Sequence, residues 1–168
     1  MVNLNSYVQN TSIGSIYASE LEGKIVQIIL PNTVLKYNPI SEAIIELNKF
    51  QDSQNTLLTE LFNELDEYFS GKRKKFDMPL LIEGTEFQKK VWAEVQKIPY
   101  GETRTYKEIS IKIGKPNSAR GVGRALNTNK IPIIIPCHRV IGTNGKLTGY
   151  AGGLEMKKKL LDLERMNK

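Results

Sequence analysis

The chain has 168 residues, of which 40% are hydrophobic, 25% are charged and 8% are aromatic. This length provides one large domain or two small ones, and this composition excludes wholesale disorder. No apolar run approaches the roughly 18 residues of a membrane span, and the first residues lack the pattern of a signal peptide. One cysteine and one histidine exclude an internal disulfide framework and leave little for a metal site. We therefore expect a soluble, intracellular protein with no metal and no membrane partner.

The charge is distributed unevenly along the chain. Residues 1–78 contain 7 Lys and Arg against 10 Asp and Glu, a net charge of −3. Residues 79–168 contain 17 against 8, a net charge of +9. This difference in charge favours two domains, of which the second, basic one binds a polyanion. A basic surface without any partner would give the same composition.

The first half has the pattern of a small α/β domain. Alternating apolar residues predict strands around Tyr7–Val8, at Ile13–Tyr17 and, after the turn Glu22-Gly23-Lys24, from Ile25 to Leu30. Helical spacing predicts a helix over about Ser41–Phe50 and a stronger one over 57–69, which ends before Gly71. Because no catalytic cluster occurs here, we interpret residues 1–78 as a scaffold.

In the second half, apolar spacing predicts three short helices separated by Gly and Pro. The first covers about Phe87–Ile98, the second Tyr106–Ile113, and the third runs from a cap at Asn117 or Ser118 to about Asn127. The last two helices, joined by a short turn that contains glycine, have the helix-turn-helix pattern.

The third helix has two different faces. The face predicted to pack inward consists of Gly121, Val122, Ala125 and Leu126, and the outward face of Ala119, Arg120, Gly123, Arg124 and Asn127. Glycine inside a helix costs about 1 kcal/mol relative to alanine, so small residues beside two arginines favour the close approach of a large anion. Glycine tolerated for packing within the protein is the alternative.

A proline-flanked apolar segment, Ile131–Val140, contains the only cysteine and the only histidine of the chain. This pattern predicts an extended, buried segment that is not helical. Asn144-Gly145 then predicts a tight turn between Val140-Ile141 and Lys146-Leu147, and hence a β-hairpin or wing.

The chain ends in a predicted helix whose buried face is defined by Leu154, Leu160 and Leu161. Glu164 shares that face and needs a partner, because burying an unpaired carboxylate is costly. An imidazole oriented by a carboxylate can take the proton of a thiol. We therefore predict a Cys137–His138–Glu164 relay, which requires a turn of the chain at Cys137 or a bridging water. A buried, inert cysteine beside a surface histidine is the alternative.

The segment Pro136-Cys137-His138-Arg139-Val140 resembles the active-site motif of the O6-alkylguanine-DNA alkyltransferases. Further matches in family order and spacing are Gly101–Thr103, Thr105–Tyr106, Gly114–Pro116, Ala119–Gly123, Asn129 and Gly149–Leu154. The resemblance covers about Phe87–Glu164, whereas the first half matches only the general layout of the family's N-terminal domain. It implies an α/β N-terminal domain over 1–78, with a small antiparallel sheet and helices. For 79–168 it implies a mostly α winged-helix or helix-turn-helix domain that binds DNA and accepts the alkyl group.

The resemblance implies direct DNA repair. The protein would approach double-stranded DNA from the minor groove and flip out O6-alkylguanine, or O4-alkylthymine. It would then transfer the alkyl group to Cys137, once per molecule. Thiolate attack on an sp³ carbon needs no cofactor, and the structural zinc of some relatives has no ligands here because residues 1–78 contain neither Cys nor His. The expected state is a monomer, located with the nucleoid in a prokaryotic cytoplasm or in a eukaryotic nucleus.

The resemblance also implies roles for single residues. Tyr106 joins Cys137, His138 and Glu164 as a catalytic residue, Arg120 replaces the extruded base, and Asn129 is the hinge between recognition helix and active-site segment. The base pocket would be formed by Leu126, Pro132, Val140, Tyr150 and Ala151, and DNA would be contacted by Tyr106, Lys107, Lys115, Arg120 and Arg124. Ala151 stands where some relatives have serine, which would widen the pocket.

Two other functions remain open at this point. Alkyltransferase-like proteins bind alkylated DNA without transfer, but they lack the acceptor cysteine that this chain has. A cysteine hydrolase also uses Cys, His and an acid, but it needs an oxyanion hole and does not explain the helix-turn-helix or the basic second half.

Overall fold

The computed structural model describes residues 4–33 and 56–168 of the chain. The chain divides into two compact units, Met1–Leu81 and Ile82–Lys168. No helix among the described residues is both long enough and apolar enough to cross a membrane.

The first unit contains a three-stranded antiparallel sheet in the order β1-β2-β3. Its strands are β1 (Leu4–Thr11), β2 (Gly14–Leu21) and β3 (Lys24–Ile29). Glu22 and Gly23, between the last two strands, have φ values of 51° and 75°. Two successive positive φ values are those of a type I′ turn, so the predicted turn is confirmed.

Helix α1 (Thr56–Phe69) packs against this sheet. Its buried residues recur at helical spacing and are Leu58, Leu61, Phe62, Leu65, Tyr68 and Phe69. This helix is the stronger of the two predicted in the first half. The other, at Ser41–Phe50, lies outside the described residues.

The second unit is mostly helical. Its helices are α2 (Glu86–Val95), α3 (Tyr106–Lys112), α4 (Ala119–Asn127) and α5 (Leu154–Met166), and its strands are β4 (Arg104–Thr105) and β5 (Val140–Ile141). Thr85 and Thr105 begin α2 and α3 with capping boxes, in which side chains satisfy the first free N–H groups of each helix.

Helices α3 and α4 form the predicted helix-turn-helix, and the inward face of α4 buries Val122, Ala125 and Leu126. The indole of Trp92 on α2 donates a hydrogen bond to the carbonyl of Ala125 at 2.9 Å. A methyl group on Gly121 would lie 3.2 Å from the ring of Phe87, so close internal packing explains the glycine at this position. At Gly123 a methyl group would make only ordinary contact with Tyr106, at 3.7 Å.

The predicted hairpin after Val140 is wrong in its pairing. The turn forms, with Gly142 N–H donating to the carbonyl of Lys146 at 2.9 Å, but β5 pairs in parallel with β4. Turn residues specify only the pairing of strands next to the turn. Here Val140 pairs with Arg104, which lies 36 residues earlier in the chain.

Candidate active site

The chain turns where it reaches the cysteine. Cys137–Arg139 form one turn of 3-10 helix, and Arg139 N–H donates to the carbonyl of Pro136 at 2.9 Å. A second turn brings Ile135 N–H to the carbonyl of Ile131 at 3.0 Å. The predicted burial of Ile131–Val140 is confirmed except at Pro132, which is half-buried. The predicted extended conformation is wrong, because prolines at 132 and 136 lack the N–H groups of a strand ladder.

Cys137 is buried at the start of this turn, and only 6% of its surface is exposed. Burial raises the pKa of the thiol, while the hydrogen bond from Asn129 and the charge of Lys157 lower it in part. The net effect is a raised pKa, so the resting side chain is a neutral thiol. A base must remove its proton before it can act as a nucleophile.

Asn129, two residues after the end of α4, connects that helix to this turn. Its amide nitrogen donates to the sulfur of Cys137 at 3.2 Å and to the carbonyl of Ile135 at 2.9 Å. Its amide oxygen accepts from Ile131 N–H at 2.9 Å. One side chain, at the position predicted for a hinge, therefore makes one hydrogen bond to the cysteine and two to the backbone that precedes it.

His138 and Glu164 are both fully buried and 2.7 Å apart, from Nε2 to Oε1. Burial alone would raise the pKa of the carboxyl, but bonds from His138 and Arg139 lower it overall, so Glu164 is ionised. Burial lowers the pKa of His138, so the imidazole is neutral. Because a carboxylate only accepts hydrogen bonds, the proton lies on Nε2, and Nδ1 is the nitrogen that can take another.

Glu164 accepts further hydrogen bonds that the sequence does not predict. Arg139 donates from Nε at 2.9 Å and from Nη2 at 3.0 Å, and Gly101 N–H donates at 3.0 Å. Gly101 has a φ of 74°, and a methyl group there would lie 3.2 Å from the main-chain oxygen of Glu164. Arg139 also donates to the carbonyl of Ile98 at 2.7 Å. Two features of the sequence could have predicted the Arg139–Glu164 contact. Arg139 directly follows the Cys-His pair, and Glu164 is predicted to be buried with no cation assigned to it.

Tyr106 lies at the first position of α3, and its hydroxyl donates to the carbonyl of Thr148 at 2.7 Å. Burial raises the pKa of Tyr106 and so keeps the phenol protonated, while the bond to Thr148 opposes this. The same carbonyl accepts from Lys157, which is fully buried on α5. Lys157 is absent from the sequence predictions, although it lies three and four residues before Leu160 and Leu161 and hence on their face.

The buried face of α5 differs from the prediction at its start. It consists of Met156, Lys157, Leu160, Leu161 and Glu164. Leu154 is 48% exposed, so its predicted burial is wrong. At helical spacing Leu154 lies about 90° from the centre of this face. The prediction failed because it placed Leu154 on the buried face only on account of its apolar side chain.

The residues predicted to line the base pocket are unequally accessible. Leu126 and Val140 are buried, Pro132 and Tyr150 are half-buried, and Ala151 is exposed. Burial and the neighbouring thiol group of Cys137 raise the pKa of Tyr150, which places this tyrosine beside the cysteine. Val140 is fully buried, so none of its atoms is exposed in this structure.

The four predicted cationic DNA contacts are exposed, and none forms an ion pair with another described residue. They are Lys107, Lys115, Arg120 and Arg124. Among residues 4–33 and 56–168, no group of three or more His, Cys, Asp or Glu side chains is arranged to hold a metal ion.

Comparisons with known proteins agree with this architecture. Residues 86–166 match the 6-O-methylguanine DNA methyltransferase, DNA binding domain, and residues 7–82 match the ribonuclease-like domain of the same enzymes. A methylated-DNA–protein-cysteine methyltransferase of Methanosarcina barkeri is 61% identical over 108 residues, which cover 64% of this chain and 68% of the relative.

Solved structures extend the likeness to nearly the whole chain. The crystal structure of the Mycobacterium tuberculosis O6-methylguanine methyltransferase is 36% identical, with a TM-score of 0.83, over 99% of this chain and 95% of that one. A structure of Mycobacterium tuberculosis OGT in complex with DNA is also 36% identical, with a TM-score of 0.78, over 97% and 94% of the two chains. The predicted fold class and family resemblance are therefore confirmed, and the chain belongs to the family of methylated-DNA–protein-cysteine methyltransferases and is an enzyme of that class.

Proposed function

We propose that this enzyme repairs double-stranded DNA by transferring the alkyl group of O6-alkylguanine, and of O4-alkylthymine, to Cys137, once per molecule. The observation that carries this proposal is the buried contact of 2.7 Å between Glu164 on α5 and His138, which lies on the turn that also presents the only cysteine of the chain. This arrangement supplies a base and its orienting acid next to a thiol that needs deprotonation.

In the proposed step, Nδ1 of His138 accepts the thiol proton, directly or through a water molecule, and Glu164 stabilises the resulting imidazolium. The thiolate attacks the sp³ carbon on the base oxygen, so that a sulfur–carbon bond forms while the carbon–oxygen bond breaks. The guanine leaves as an anion and takes a proton from Tyr106. The thioether product is not readily hydrolysed, so the cysteine is not regenerated and each molecule would act once.

The second half, 79–168, would bind the DNA through α4, and 1–78 would serve as its scaffold. Arg120 would fill the space left by the flipped base, while Lys107, Lys115 and Arg124 would contact phosphates without reading sequence. Their exposure and lack of ion pairs among the described residues support this assignment. Leu126, Pro132, Tyr150 and the backbone at Val140 and Ala151 would form the base pocket, and the protein would act as a monomer with the nucleoid or in a nucleus.

Intact mass spectrometry after mixing with matched duplexes tests the proposal. The duplexes contain O6-methylguanine, O4-methylthymine or no lesion, and the first two should each add the mass of one methyl group and no more, even with excess DNA. Tight binding of the lesion without an adduct would instead identify a lesion-binding module. Turnover of activated esters, again without an adduct, would identify a hydrolase.

A further inference from the structure

Lys157 is a buried cation that the reaction described so far does not use. Its side chain has no exposed surface, and its ammonium group donates to the carbonyls of Thr148 at 3.0 Å and Gly149 at 3.5 Å and to the hydroxyl of Tyr106 at 3.4 Å. It forms no ion pair with a carboxylate in the described parts of the chain. A buried charge without a counter-ion is costly, so its retention points to a task for the charge.

The ammonium group restricts how Tyr106 can use its single proton. An ammonium only donates hydrogen bonds, so the phenol oxygen must accept from Lys157 and direct its own hydrogen elsewhere. In the structure that hydrogen points to the carbonyl of Thr148, at 2.7 Å. Lys157 also lies 5.6 Å from the centroid of the Tyr106 ring, within cation–π range. Two contacts therefore fix the ring and its hydroxyl.

We propose that Lys157 is a positioning residue for alkyl transfer: its ammonium group orients the Tyr106 hydroxyl as a donor and keeps a positive charge near Cys137 while the thiolate forms. The inference rests on the proposed function and adds the requirement that Lys157 is protonated. The titratable groups that interact with it are Tyr106 on α3 and Cys137 and His138 on the 3-10 turn.

The same charges predict the pH dependence. Burial lowers the pKa of Lys157 to about 8, although the negative charge of a Cys137 thiolate raises it. In return, the charge of Lys157 lowers the pKa of the thiol. Because the protonated lysine is the active form, transfer should decrease as the pH rises through about 8, even though more thiolate is then present.

The test measures the rate of single-turnover transfer from duplex O6-methylguanine DNA at saturating DNA. The pH is varied over about 6 to 10, a range that includes the ordinary pKa of a free cysteine thiol. The parent protein should slow above about pH 8. Arginine at position 157 stays charged throughout this range, so the transfer rate of Lys157→Arg should not decrease at alkaline pH. Lys157→Met should be slower by about 100-fold at neutral pH. Lys158→Met, which removes an exposed lysine paired with Asp162 on the same helix, is the matched control and should follow the parent profile.

A parent profile without an alkaline decrease, or a Lys157→Arg profile that decreases like the parent's, would overturn the inference. Should Lys157→Met melt too low to be assayed, the parent and Lys157→Arg profiles decide the question.

A second readout separates this inference from the proposed function. Iodoacetamide can alkylate only Cys137 among cysteines, so its pH dependence without DNA reports the pKa of that thiol. Lys157→Met should move this titration to higher pH, and an unchanged titration would contradict the charge effect. If the parent forms no methyl adduct with DNA, the proposed function fails while this titration still tests the effect of Lys157 on the thiol.

Discussion

The second unit contains two regions that are built in opposite ways. In the thiol cluster, which we define as Cys137, His138, Arg139, Lys157 and Glu164, every side chain is buried. On the outward face of α4, Arg120 and Arg124 are exposed and form no ion pair with another described residue. Buried charges need partners because they have lost their water, whereas exposed cations keep their water until an anion replaces it.

Under the proposed function, this difference separates the chemistry from the recognition of DNA. The carboxylate of Glu164 accepts hydrogen bonds from His138, Arg139 and Gly101, so its position is fixed before any substrate arrives. The arginines of α4 have no such partner among the described residues. Loss of the Glu164 carboxylate should therefore alter reaction rate and stability together, and changes on the outward face of α4 should alter only the binding and repair of DNA.

Replacing the thiol is expected to have the largest effect. Cys137→Ser should reduce transfer by more than about 10⁴-fold, because a hydroxyl is much harder to ionise and is a weaker nucleophile. The fold and most of the DNA affinity should remain, since α4 is unchanged. Quantitative mass spectrometry measures the transfer, and fluorescence anisotropy measures the binding. Methyl transfer by this variant at a measurable rate would remove Cys137 from the mechanism.

Glu164→Gln should affect both chemistry and stability. Without the carboxylate charge His138 is a weaker base, so transfer at neutral pH should fall by about 100-fold, and by less at pH near 9, where a larger fraction of the thiol is ionised without help from His138. Loss of the charge opposite buried Arg139 should also cost about 3 kcal/mol of the free energy of unfolding. Rates over this pH range and chemical denaturation provide the two measurements.

Arg139→Lys is the matched control for Glu164→Gln. It keeps a cation beside Glu164 but loses the paired guanidinium bonds, so it should lower stability while leaving the shape of the pH profile unchanged. If the pH profile of Glu164→Gln overlays that of the parent, Glu164 has only a structural role.

Arg120→Ala should reduce repair of duplex DNA by about 10-fold or more, even at saturating DNA, because unstacking a base costs a few kcal/mol whatever the occupancy. Reaction with free O6-benzylguanine, which needs no flipping, should be unaffected. Arg124→Ala removes a neighbouring exposed charge from the same helix and should lose activity only below saturation. Equal losses on duplex and free base would mean that Arg120 supports the pocket or the fold.

The smallest expected effect is that of a single phosphate contact. Lys115→Ala should weaken binding to damaged and undamaged duplexes alike and reduce the slope of log affinity against log salt by about one. Lys158→Ala, on α5, should leave this slope unchanged. Binding titrations at several salt concentrations measure both variants, and a loss specific to damaged DNA would place Lys115 at the lesion instead.

Local patterns predicted those parts of the fold that depend on local interactions. The turn at Glu22-Gly23, the buried faces of α1 and α4 and the burial of Glu164 all follow from spacing and turn chemistry. The parallel pairing of β4 with β5 did not, because both strands have only two residues and lie far apart in the chain. Of the site residues, Lys157 escaped prediction because lysine is rarely buried, although its position in the helical repeat marked the inward face.

The central claim is that Cys137 is the acceptor of the alkyl group. Its most direct test is peptide mapping by tandem mass spectrometry after reaction with a duplex that carries an isotopically labelled O6-methylguanine. We expect the label as S-methylcysteine at Cys137, one equivalent per protein molecule, with guanine restored in the DNA. Label on any other residue, or label released as methanol with repeated turnover, would contradict it.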